Sequence, residues 1–425
     1  MKAFTSLYST NLFLVGGTGL LTTYLALYMG EKGMSANWIG LLTSAYYLGL
    51  LVGAKVGYRL IKSVGHIRTF SASTAIVIAC VAAHGLHDNI YLWLFLRVVV
   101  GVGMMSNYMV LESWLNEQAK PEQRGKVFSI YMITSYLGMV AGQYTLTYFP
   151  ELGYAPMFLV CIALSFGIVP ISTTSRIHPK PLKPVTVSMF SYFEKIPQSL
   201  TAILFAGIIN GSFYGLAPLY ASLAGFSSEE IAKFMSLTIL AGLLAQWPMG
   251  IVSDKVRRSL LLRINAVLIA LTCVGMFAFT GHVLLTYILT FIFGLFAFTL
   301  YPLSSALANS RVDDDERVGV SSALLGTFGI GASIGSMLIA QVMGWLGYEA
   351  FYATIALLCV MMFSLLTTIN ARQKAEKVSH SDYVVGGSDI TASPLAATLD
   401  PRIENDIAEE QLLIVDDEEK AAKEN

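Results

Sequence analysis

Few residues in this chain can do chemistry, and the most telling ones sit inside apolar stretches. If their segment is helical, Arg97, Gly101, Tyr108 and Glu112 fall within about 60° of one another. They would form one polar stripe on an otherwise apolar run. An arginine at that depth meets an anionic or carboxylated solute, or serves a buried structural pair; facing lipid it would cost about 3 kcal/mol or more. Glu112 is either a proton carrier or a charge at the membrane edge. Asn11, Thr18 and Thr22 share one face of the first apolar run, and Gln143, Asn210, Tyr214 and Gln246 lie inside others. Each can line a polar cavity or bond a neighbouring helix. Other chemistries lack their residues. There is no G-x-x-x-x-G-K-[ST] loop, no nucleophile elbow and no H-E-x-x-H, so the chain is expected not to be an enzyme, to use no cofactor and not to power itself with ATP. Cys80, Cys161, Cys273 and Cys359 lie singly in separate apolar runs, and His84 with His87 forms a polar loop, so no metal site is expected.

The elements that must position these residues follow from composition. Of 425 residues, 55% are hydrophobic and 13% charged, with a mean hydropathy of +0.63, whereas a soluble domain carries roughly 25% charged residues. The net charge of −1 conceals a split: residues 1–371 carry +6 and residues 372–425 carry −7. Apolar stretches fall at 6–30, 38–60, 67–86, 90–113, 125–148, 154–174, 198–224, 229–251, 259–280, 283–308, 318–345 and 348–371. Each is near the roughly 20 residues that a helix needs to span a bilayer. Helices are required because every backbone N–H and C=O must be satisfied within its own segment. The pattern is therefore an all-α membrane protein with twelve transmembrane helices. Counted over alternate loops and the two ends, 24 Lys and Arg fall on one side, and only Lys32 and Lys233 on the other. That bias places both termini in the cytoplasm. The basic residues form short clusters between apolar runs, so no nucleic-acid face is expected.

The spans divide into two six-helix halves, with bundles expected over 1–174 and 198–371, a cytoplasmic linker over 175–197 and a disordered acidic tail over 372–425. The halves echo each other at an offset of 192–193. Gly33-Met34-Ser35 matches Gly225-Phe226-Ser227; Ile39, Ser44, Gly101 and Arg124 match Ile231, Ser236, Gly294 and Arg317. Several matches at one offset point to parallel repeats about an axis along the membrane normal.

The segment Gly250-Ile251-Val252-Ser253-Asp254-Lys255-Val256-Arg257-Arg258 fits G-x-x-x-D-[RK]-x-x-[RK], and Arg97-Val98-Val99-Val100-Gly101-Val102-Gly103 fits R-x-x-x-G-x-G. Through these motifs residues 1–371 resemble the major facilitator superfamily. The resemblance implies two six-helix bundles and a loop at Asp254 that helps lock the closed cytoplasmic side. Asp254 can pair with an arginine of a neighbouring helix, for which Arg317 is the candidate, with Arg258 and Arg124 at the same gate. The first-half copy departs from the pattern, since Lys62 stands where the family has Asp. A substitute contact is expected between Lys62, His66 or Arg68 and the acidic run containing Asp314. Gly138 and Gly142 supply antiporter-like glycine spacing but no proline follows, so they are expected to serve close helix packing.

Glu112-Ser113-Trp114-Leu115-Asn116, Arg124-Gly125-Lys126, Tyr58 and Gly65-His66-Ile67-Arg68 resemble the YcaD-type branch of that superfamily. The resemblance implies secondary active transport of a small solute across a bacterial inner membrane by alternating access, with an ion gradient, expected to be protons, as the energy source. The alternative is a transporter-like sensor or assembly partner that signals through the acidic tail, whose partner the sequence does not name. Deleting residues 380–425 separates the two, because a carrier keeps its flux without the tail.

Overall fold

The computed structural model describes residues 2–120, 123–173, 192–313 and 316–372. The linker and the acidic tail expected above lie mostly outside them, as does Asp314. Among the described residues there is no strand. The helices are α1 (Lys2–Glu31), α2 (Ala36–Val64), α3 (His66–His84), α4 (Ile90–Gln118), α5 (Arg124–Thr145), α6 (Ala155–Ser172), α7 (Pro197–Leu223), α8 (Ser228–Lys255), α9 (Arg258–Ala278), α10 (Val283–Ala297), α11 (Leu300–Asn309), α12 (Arg317–Leu346) and α13 (Ala350–Arg372). Helices α10 and α11 are the two pieces of one span. Among the described residues, eleven spans are long and apolar enough to cross a bilayer. The twelfth, α5, is more polar because it carries Tyr131, Thr134, Ser135, Tyr136 and Gln143.

Helices in lipid gain little from burying one apolar side chain against another, so backbones must approach closely. Glycine seams allow it. A Cβ on Gly53 would lie 2.7 Å from the Cβ of Met105, and one on Gly138 would lie 2.6 Å from the Leu12 carbonyl oxygen. The packing reading of Gly138 and Gly142 therefore holds: both press on α1, at Leu12 and Gly16.

The sequence echoes recur as geometry. Gly33 and Gly225 end α1 and α7 with φ of +72° and +89°. The following N–H groups, of Met34 and Phe226, return to the carbonyls of Met29 and Ala221 at 3.0 Å, the glycine helix stop that needs a left-handed residue. Gly101 lies against the Tyr46 carbonyl and Gly294 against that of Thr238. His66 hydrogen-bonds Ser113 at 2.6 Å, and at the corresponding place Arg258 donates to the Ala306 carbonyl at 3.2 Å.

The loops at Gly65, at 119–123, at 256–257 and at 310–316 share one end of the assembly, termed here the basic end. The first-half helices meet the second-half helices along α2–α12, α5–α8, α1–α7 and α2–α7. The α2–α12 seam starts at the far end, where a Cβ on Gly344 would lie 3.1 Å from Asn37 and one on Gly40 would overlap Ala340. It continues through Ser44 and Ser333, which exchange hydrogen bonds of 2.5 and 3.3 Å, to Leu51 against Gly329. Val140 on α5 accepts from Ser236 on α8 at 3.4 Å.

Candidate functional site

Beside the middle of the α2–α12 seam, α1, α2, α5 and α7 line a cavity of about 20 Å³, room for about one water. Thr18, Gly19 and Thr22 come from α1; Thr43, Tyr46 and Tyr47 from α2; Met139 and Gln143 from α5; and Tyr214 alone from the second half. None of these side chains is formally charged. A larger cavity of about 70 Å³ lies at the far rim of the first half, between Tyr28, Asp88 and Trp93. Its own Lys32 sits there, 3.3 Å from Asp88 and 5.2 Å from the Tyr28 ring centre. The central cavity is the one between the halves.

Of the residues expected to bind solute, Gln143 lines this cavity directly. Its amide donates to the Gly19 carbonyl at 3.1 Å, which leaves Oε1 buried and without a partner. Arg97 stands behind the cavity wall. It is 2% exposed, and its guanidinium stacks on the Tyr46 ring with the carbon 4.7 Å from the ring centre. Tyr46 thus screens the charge from the cavity, and the stacking replaces part of the lost hydration. Tyr108 is fully buried, and its hydroxyl has no hydrogen-bond partner among the described residues. The second half fills the matching place differently: there Thr238 and Thr290 hydrogen-bond at 2.6 Å. The fold therefore closes this helix contact without an arginine, and the Arg97–Tyr46 pair is a feature of the first half alone.

Three other expected site residues lie away from the cavity wall. Glu112 is fully buried and accepts from the Tyr131 hydroxyl at 3.4 Å. Asn11 does not reach the cavity; its amide donates to the Tyr131 carbonyl, Thr134 and Ser135, at 2.8–3.1 Å, and ties α1 to α5. Asn210 points at the α10–α11 break, where it donates to the Ala297 carbonyl at 3.4 Å.

That break has a covalent cause. Residue 302 is proline, so the Phe298 carbonyl loses the helical N–H four residues on. Gln246 of α8 supplies a donor at 3.4 Å, and Asn265 of α9 donates to the Phe296 carbonyl and Thr299 at 3.4 and 2.9 Å. The Gln246 amide also donates to the Tyr136 hydroxyl on α5 at 3.3 Å, so the break touches the opposite half.

At the basic end Asp254 pairs with Arg258 one turn on, at 3.5 Å, and not with Arg317. A carboxylate on the last turn of α8 reaches a side chain on the first turn of α9 more easily than one on another loop. Arg317 is buried at the start of α12, and Arg124 is half-buried at the start of α5. Lys62 and Arg68 are exposed. His66 is not available to the acidic run, being buried on Ser113, and Glu316 from that run is held by Lys195 at 2.5 Å. Tyr46, Tyr47 and Thr43 are the site residues that sequence reasoning missed. Their signal was the cluster of Thr43, Ser44, Tyr46 and Tyr47 inside an otherwise apolar span.

The family model described as Major Facilitator Superfamily matches residues 7–336 and 202–401. The chain belongs to the Major Facilitator Superfamily. As a major facilitator it is a multi-pass membrane transporter with two six-helix pseudo-repeat bundles. Its relatives include the uncharacterized MFS-type transporter YcaD of Escherichia fergusonii, 29% identical over 378 residues, 88% of this chain and 97% of that protein. YcaD of Escherichia coli O9:H4 (strain HS) is 30% identical over the same shares. Among solved major facilitators, the nucleoside transporter NupG superposes with a TM-score of 0.76 at 13% identity, covering 88% of this chain and all of that one. A bacterial homolog of the human lysosomal transporter Spinster, inward-facing and unoccupied, gives 0.67 at 15%, covering 94% and 97%. At these identities the likeness is one of fold.

Proposed function

We propose that this major facilitator carries a small solute across the bacterial inner membrane by alternating access, coupled to protons, with the basic end and both termini in the cytoplasm. The observation that carries this reading is the position of the central cavity. It lies between the two halves, and on the side away from the basic loops the Gly40 and Gly344 contacts join them beyond it. A site at the junction of two pseudo-symmetric bundles becomes accessible to either face when the bundles rock. In this reading the seam is the periplasmic gate in its closed position. The working units are the bundles 1–174 and 198–371, joined by the linker 175–197.

Within this scheme Gln143 contacts solute, while Arg97 and Tyr108 hold Tyr46 in place. Glu112 with Tyr131 is the proton-carrying pair, since a buried carboxylate on a hydroxyl donor can bind and release a proton without changing its neighbours. Asp254, Arg258 and Arg317 belong to the cytoplasmic gate, which Lys62, Arg68 and Arg124 face from the first half. Asn210, Gln246 and Asn265 steady the α10–α11 break while the halves move. The test is solute flux in proteoliposomes. Hits from a thermal-shift screen of metabolites should enter vesicles, and an imposed pH gradient should raise their accumulation. Binding without flux under any gradient defeats the transporter mechanism, and flux indifferent to pH defeats the proton coupling alone.

A further inference from the structure

We infer that the solute is uncharged and presents a hydroxyl or N–H donor, and is neither an anion nor a cation. The inference rests on the reading of the central cavity as the solute site. Three observations carry it. The walls hold tyrosine and threonine hydroxyls and one amide, with no carboxylate and no ammonium. An ion moved there from water would lose hydration that no side chain in the wall replaces. The one nearby cation, Arg97, is covered by the Tyr46 ring. A solute carboxylate in the cavity would meet the ring and not the guanidinium, so the strong charge-assisted contact that would favour an anion is unavailable.

The third observation sets the polarity of recognition. Gln143 has its amide N–H committed to the Gly19 carbonyl, while Oε1 is 1% or less exposed with its residue and has no partner. A buried acceptor without a donor is costly, so the arriving group must donate: a hydroxyl or an N–H. Tyr46, Tyr47 and Tyr214 line the same cavity, so the rest of its wall is largely uncharged aromatic surface.

The experiment uses the full chain, purified and reconstituted, against three sets of probes. The uncharged set is uridine, myo-inositol and nicotinamide; the anionic set is benzoate and succinate; the cationic set is choline and agmatine. Thermal stabilisation and flux are expected within the uncharged set only, with affinity falling at least tenfold in Gln143→Leu. Gln143→Asn keeps the amide chemistry and should retain part of the binding, which separates a contact with solute from a packing defect. Replacing Tyr46 by Leu uncovers Arg97, and this variant should gain binding of benzoate that the parent lacks. Binding and flux of an anionic or cationic probe by the parent, in preference to every uncharged one, overturns this inference and leaves the transporter reading intact. Binding of any probe without flux overturns the transporter reading instead. Failure of all three sets to bind or move overturns the substrate class.

Discussion

Ser44 and Ser236, 192 positions apart, perform the same task in the two halves: Ser44 donates to the Ser333 carbonyl at 2.5 Å, and Ser236 donates to the Val140 carbonyl at 3.4 Å. The acceptors are themselves 193 positions apart. Each serine bonds the helix of the opposite half, so α2–α12 and α8–α5 are one interface used twice. The two copies differ in tightness, and the α2–α12 copy adds the glycine approaches at Gly40, Gly329 and Gly344.

The glycine at position 40 is expected to set whether that seam can close. Gly40→Val places side-chain carbons inside Ala340 and Ser336. Flux should fall at least tenfold, by more than thermal stability falls, because the overlap lies at the contact between the two halves. A disulfide between cysteines introduced by Asn37→Cys and Gly344→Cys should form readily in the parent and slowly beside Gly40→Val. Equal crosslinking in both would show that the seam does not close as described. Ser44→Ala, which removes one hydrogen bond of about 1 kcal/mol, should have a much smaller effect.

Arg97 and Tyr46 should behave as a unit. The stacking of a desolvated guanidinium is worth about 2 kcal/mol, so Arg97→Gln and Tyr46→Leu should each lower the melting temperature. Tyr46→Phe keeps the ring and should melt near the parent. Arg97→Lys should fall between them, because an ammonium lacks the planar face that stacks. A double-variant cycle read by thermal unfolding checks the coupling; additive losses would show that the ring and the guanidinium act independently.

Gln246 and Pro302 make a second cycle. In Gln246→Leu the Phe298 carbonyl loses its side-chain donor, at a cost of about 1–3 kcal/mol for a buried unsatisfied group. Pro302→Ala restores a backbone N–H to that carbonyl. On the Pro302→Ala background, Gln246→Leu should therefore cost less by roughly 1 kcal/mol. The single Pro302→Ala variant should be stable yet slow in flux, since a repaired helix bends less readily at the break. An undiminished cost of Gln246→Leu beside Ala at 302 would assign that cost to something other than the orphan carbonyl.

Glu112→Gln retains the shape of the buried carboxyl but cannot release a proton. Exchange of labelled for unlabelled solute should continue near the parent rate, while accumulation driven by a pH gradient disappears. Tyr131→Phe should weaken gradient-driven uptake without abolishing it. Gradient-driven uptake by Glu112→Gln at the parent level would move the proton site elsewhere.

The Lys195–Glu316 pair gives an effect of pH on stability. Glu316 holds the Lys195 ammonium above its usual range, through a hydrogen bond first and charge second. A raised folded-state pKa stabilises fully below the unfolded lysine value and is lost as pH rises through the folded one. The window therefore lies above about pH 10. Because the pair is exposed, the effect is small. The melting temperatures of the parent and of Glu316→Gln should differ slightly at neutral pH and converge in strong alkali; a gap that widens there would reverse the sign.

The sequence alone determined the membrane class, twelve spans and the two-half division, because span length and lipid insolubility of the open backbone act on composition and leave few alternatives. Matches such as Ser44 with Ser236 and Gly101 with Gly294 were also legible, since equivalent close contacts demand equivalent small or hydroxyl side chains. Arg97 was legible as a buried charge, but which neighbour covered it was not. The tyrosine that screens it lies 51 positions away, on a different helix, and only packing brings the two rings of charge and π electrons together. The same limit explains Asp254, whose partner proved to be one turn away, and Asn210 and Asn11, whose amides serve backbone groups of other helices. A polar side chain inside a span must find a partner, and periodicity says only which face it leaves from. Whether that face meets a cavity, a broken helix or another bundle was decided by the tertiary structure, because helix approach at glycine seams fixes which atoms come within hydrogen-bond reach.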